Sequence, residues 1–102
     1  MNVRFVLSPQ AAVELVEIWH YISKHSTVAM ADRIEAAIRE KMAFLSEHSG
    51  VGHSRKDLTD LDVSFFPIYS YLIVNLPNTK PLQVASILHG RRDVEQVLKE
   101  RL

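Results

Sequence analysis

Two amphipathic helical segments separated by a short polar link constrain this chain more than any other feature. Ala11, Leu15, Ile18, Trp19 and Ile22 recur at spacings of three and four, so they share one helical face in a helix ending near Ser23. Glu14, Glu17 and Lys24 are read as lying off that face. Ala31, Ile34, Ile38, Met42 and Leu45 form a second stripe within residues 28–47, with Arg33, Glu35, Arg39, Glu40 and Lys41 on the wet side. Lys24-His25-Ser26-Thr27 joins the two. Helices so closely linked fold back antiparallel. Each alone is marginal in water, so other elements must cover the stripes.

Strand patterns supply the cover. Val3, Phe5 and Leu7 alternate with Arg4, Val6 and Ser8, the period of a half-buried strand. Ser8-Pro9 then opens the first helix, serine as cap and proline where no N–H is needed. Ser26 or Thr27 caps the second helix, and Asp32 near its start complements the helix dipole. Residues 50–61, with Gly50 and Gly52, read as a connection. Val63–Phe66 is a strand, Pro67 a break, and Ile68–Leu76 the strongest strand in the chain. Pro77–Pro81 is a turn, and Leu82–Leu88 the last strand. Val94, Val97, Leu98 and Leu102 suggest a short terminal helix. The order β-α-α-β-β-β-α predicts an α+β fold: an antiparallel sheet with the helix hairpin on one face and a short C-terminal helix.

The 102 residues suit a single domain spanning 1–102. There is no cysteine, which excludes a disulfide framework and a thiolate nucleophile or zinc site. Twelve basic residues balance twelve acidic ones, unlike the basic excess of a dedicated duplex-DNA binder. No apolar run is long enough to span a bilayer, and the N-terminus has no signal-peptide core. These features fit a cytoplasmic protein.

The chemistry-bearing residues are few. His20, His25, His48, His53 and His89 lack metal-ligand spacing, and no glycine-rich phosphate loop exists, so no metal or nucleotide cofactor is expected. The helical carboxylates sit among opposite charges and read as a solvated face. Phe65, Phe66, Tyr69 and Tyr71 read as core packing. The densest positive point is Arg91-Arg92 after Gly90, with Arg55-Lys56 in the preceding connection and His89 beside it. Guanidinium forks bind carboxylates or phosphates bidentately, so these residues are candidates for contacting an anionic group, the other reading being that Arg92 pairs with Asp93 or Glu95 and Arg91 is solvated.

Leu7-Ser8-Pro9, the run Ala11, Leu15, Ile18, Trp19 and Tyr21, the helix Ile34–Leu45, the strand Tyr71-Leu72-Ile73-Val74 and the run Ile87–Asp93 together resemble the RelE/ParE toxin superfamily of type II toxin–antitoxin systems, most closely its ParE branch. The resemblance implies a toxin that forms a hetero-oligomer with a cognate antitoxin; Arg91, Arg92, His89, Arg55 and Lys56 are then candidates for binding the target or the antitoxin, and Trp19 and Tyr21 weaker antitoxin-binding candidates. ParE-like members typically poison DNA gyrase, whereas RelE-like members cut mRNA on the ribosome. A RelE-like nuclease places an arginine directly after the central-strand tyrosine, another after the glycine ending the last strand, and a tyrosine six residues later. Here those positions hold Leu72, Arg91 and Val97. Neither Leu72 nor Val97 stabilises charge or moves a proton. The expectation is a gyrase inhibitor with no catalytic residues. A ribosome-dependent mRNA endonuclease and a non-toxic regulatory partner of the antitoxin stand as alternatives.

Overall fold

The structure, a computed structural model, describes residues 4–48, 52, 54 and 62–89. In chain order its elements are β1 (Phe5–Leu7), α1 (Pro9–His25), α2 (Val28–Glu47), β2 (Ser64–Ile68), β3 (Tyr71–Leu76) and β4 (Leu82–His89). The sheet order is β1-β4-β3-β2. β2 pairs with β3 and β3 with β4 antiparallel, whereas β1 runs parallel to β4. This is the expected α+β arrangement over β-α-α-β-β-β; the helix expected at residues 94–102 lies outside the described residues.

Ser8 starts α1 in extended backbone, and its Oγ accepts the Ala11 N–H at 3.0 Å. The same hydroxyl donates to the Ala85 carbonyl at 2.7 Å, tying the helix start to β4. The helix continues to His25, two residues past Ser23, and the Ser26 N–H closes it on the Ile22 carbonyl. Thr27, rather than Ser26, caps α2, its Oγ1 accepting the Met30 N–H at 3.0 Å.

The hairpin covers one face of the sheet. Ala11, Leu15 and Ile18 of α1 meet Ile38, Met42 and Leu45 of α2 over Ile73, Leu82, Val84 and Ile87. Val63, Phe65, Val74 and Leu88 form a second cluster, with Leu72 and Ala85 against it. Along β3, Tyr71 and Ile73 join the first cluster and Leu72 and Val74 the second, the alternation of a two-faced strand.

Several sequence expectations are corrected. Trp19 is half-buried rather than in the core: its Nε1–H donates to Asp32 Oδ1 at 2.8 Å, because an indole N–H needs an acceptor that an apolar core lacks. Asp32, past the first turn of α2, serves that indole instead of the helix dipole. The expected strand Ile68–Leu76 is split by a turn at Tyr69-Ser70, and β2 runs through Pro67 to Ile68. Proline is tolerated there because β2 is an edge strand. Tyr69, expected to pack in the core, is instead 63% exposed: it turns the chain at a positive φ of 54° that glycine or asparagine ordinarily signals. Glu14 is buried, as described next.

Candidate functional site

A bulge in the middle of β4 defines the site. Val74 pairs with Ser86 and Asn75 with Val84, so Ala85 is an extra residue in β4. β1 pairs with β4 only as far as Leu7 opposite Val84. Beyond that point α1 side chains take over from the strand. Ser8 Oγ donates to the Ala85 carbonyl, and Glu14 Oε1 accepts from Ser86 Oγ at 2.7 Å and from the Ile87 N–H at 3.1 Å. Glu14 is only 5% exposed. A buried carboxylate needs such donors, since desolvation is costly without them.

Above this floor lies an open cleft of about 450 Å³ between α1 and the sheet. Glu14, Glu17 and Tyr21 of α1, Tyr71 of β3, and Ile87 and His89 of β4 line it. Tyr71 and His89 are register partners, and their rings meet edge-on with centroids 5.5 Å apart. Tyr21 stands 62% exposed and lies against the His25 ring at 4.4 Å.

Burial raises the Tyr71 phenol above its ordinary value of 10.0, and the neighbouring Tyr21 phenol adds to the rise. The folded protein therefore keeps the Tyr71 proton where the unfolded chain releases it. This contribution to stability is complete below the ordinary value and is lost as pH rises through the raised one. Urea midpoints for wild type and Tyr71→Phe, compared between about pH 8 and about pH 11, are expected to show a steeper alkaline loss in wild type. Parallel losses in the two proteins would contradict the assignment.

The family model described as "ParE toxin of type II toxin-antitoxin system, parDE" matches residues 5–94. The chain belongs to this family. A solved structure described as "Chromosomal ParDE TA system from P. aeruginosa" is similar in fold, with a TM-score of 0.69 over 86% of this chain and 96% of that one, at 15% identity. A search of curated proteins finds no match.

Of the residues singled out from sequence, this ParE-family structure places His89 and Tyr21 on the cleft. Trp19 sits apart, bonded to Asp32 at the helix–helix seam. Leu72 packs on the opposite face with Val74 and Leu88, so the position where a RelE-like nuclease carries an arginine is apolar and turned from the cleft. Arg91, Arg92, Arg55, Lys56 and Val97 lie outside the described residues. Among the described residues, no three His, Asp or Glu side chains gather as a metal site, and no helix is long and apolar enough to cross a membrane.

Sequence reasoning missed Glu14 and Tyr71 as cleft residues. The signal for Glu14 was present: it lies three residues after Ala11 and four before Ile18, within the buried stripe. Its charge led to a solvated reading. Tyr71 was assigned to packing alone, and the structure gives it both a packed ring and a place on the cleft.

Proposed function

We propose that the protein is a cytoplasmic toxin that arrests growth by binding DNA gyrase and is neutralised by a cognate antitoxin in a hetero-complex. It acts by holding another enzyme in a dead-end state rather than by catalysis. The observation that carries this reading is the ParE family match over residues 5–94. Apolar Leu72, where the nuclease branch needs a cation, supports the gyrase branch over mRNA cleavage.

The antitoxin covers apolar surface that the domain leaves open. Val13, Val16 and Tyr21 on α1 are all more than half exposed, which favours a segment that folds onto that helix. Arg91 and Arg92 contact the target or an acidic stretch of the antitoxin.

Induced expression of the chain, with and without its cognate antitoxin, tests the toxin reading. Growth arrest relieved by the antitoxin is expected. Purified protein added to gyrase and supercoiled DNA then tests the target, with cleaved or unprocessed DNA as the expected product. Codon-positioned mRNA cleavage on ribosomes, with gyrase unaffected, would replace this reading with the endonuclease one. No arrest and neither activity would leave a regulatory partner.

A further inference from the structure

β4 changes its facing in mid-strand. Leu82 and Val84 belong to the core under the helices, and so does Ile87, three positions on. Ala85 and Leu88 belong to the opposite face. Strict alternation from Val84 would turn Leu88 toward the helices and Ile87 and His89 away. The extra residue Ala85 inverts that order, and His89 lines the cleft because of it.

Something must hold the bulge against reverting to a regular ladder. Glu14 reaches over from α1 and engages both residues that follow the extra one, through Ser86 Oγ and the Ile87 N–H. A leucine at this buried position would pack as well and would avoid the desolvation of a carboxylate. It would offer no acceptor.

We infer that Glu14 is a positioning residue: its carboxylate holds the β4 bulge and so sets His89 on the cleft side of the sheet. Its link to growth arrest rests on the toxin reading, with His89 among the residues that bind the target or the antitoxin. It adds to that role a requirement for a buried residue on a different element that contacts no partner itself.

The test compares Glu14→Leu, Glu14→Gln and a stability control, Ile38→Val, which trims the shared core from the α2 side and leaves the Glu14 hydrogen bonds to Ser86 and Ile87 in place. Three quantities are measured: Ile87 amide exchange, the nuclear Overhauser contact between the Tyr71 and His89 rings, and growth arrest. In Glu14→Leu, Ile87 exchange is expected to quicken and arrest to weaken, each by about tenfold or more, as for loss of a hydrogen bond to a charged group. The ring contact is expected to disappear. Glu14→Gln, which keeps one acceptor oxygen, restores all three; Ile38→Val alters none beyond its loss of melting temperature. If Glu14→Leu does not fold, Ser86→Ala, which deletes one anchor without adding bulk, is expected to give the same changes in smaller measure. Wild-type exchange and ring contact in the folded Glu14→Leu protein, or in Ser86→Ala where it replaces it, would overturn the inference. So would equal loss of arrest in Ile38→Val. If wild type itself arrests nothing, the toxin reading fails, and the exchange and ring measurements still decide whether Glu14 holds the bulge.

Discussion

Growth arrest is expected to vanish when Arg91 and Arg92 are both replaced by alanine, with the melting temperature unchanged. The two guanidinium groups follow directly on Gly90 in a chain whose formal charge is zero, so they are a local feature rather than part of a basic surface. Each bidentate contact to a carboxylate or phosphate contributes roughly 1–3 kcal/mol, so losing both weakens binding by about 30-fold or more. Lysine keeps the charge but not the fork, and Arg91→Lys should therefore recover only part of the arrest. If Arg92 merely pairs with Asp93 or Glu95 in solvent, its removal shifts stability by at most about 1 kcal/mol and leaves toxicity intact. Dose–response curves for induced expression, beside thermal melts of the same variants, separate these outcomes. Full toxicity in the double variant would remove both arginines from target binding.

Leu15→Ala is expected to destabilise the fold strongly. Leu15 is 1% exposed and lies on α1 in the cluster shared by α2 and the sheet. Removing its branched end loses transfer free energy and leaves a cavity, together about 2–5 kcal/mol. A small domain has only about 5–15 kcal/mol in all, so the melting temperature should fall by about 10 °C or more. Val16→Ala, next in sequence but 53% exposed, should change stability by less than about 0.5 kcal/mol. Circular dichroism melts of the two variants make the comparison. Equal losses at both positions would mean that the assignment of the α1 core face is wrong.

The candidate site was legible in parts. His89 was visible as the residue before Gly90-Arg91-Arg92, and Tyr21 as an aromatic on the first helix. Both line the cleft. Glu14 was read as solvated because charge is ordinarily a surface signal. What reverses that expectation is a pair of donors on β4, more than seventy residues away in the chain. No local pattern around Glu14 announces them. Trp19 failed for the opposite reason. Periodicity placed the ring on the core side, but its one polar atom drew it to Asp32 at the helix–helix seam.

Legible in the chain alone is the helix hairpin, with its cap at Ser8 and its two apolar stripes, whereas the choice of Thr27 over Ser26 as the second cap came with the folded structure. The sequence also determined that strands follow and that the family is that of the ParE toxins. Helical spacing, capping and turn chemistry act between residues a few positions apart, so one stretch of chain contains both partners. Tertiary structure alone decided that β1 lies parallel to β4, that Ala85 is an extra residue and that Glu14 is buried. It also decided that Tyr69 turns the chain at a positive φ. In the sheet a strand's facing depends on which partner it meets and in what register, and one extra residue inverts every side chain beyond it. That information resides in contacts between distant segments and exists only once the helices and sheet have come together.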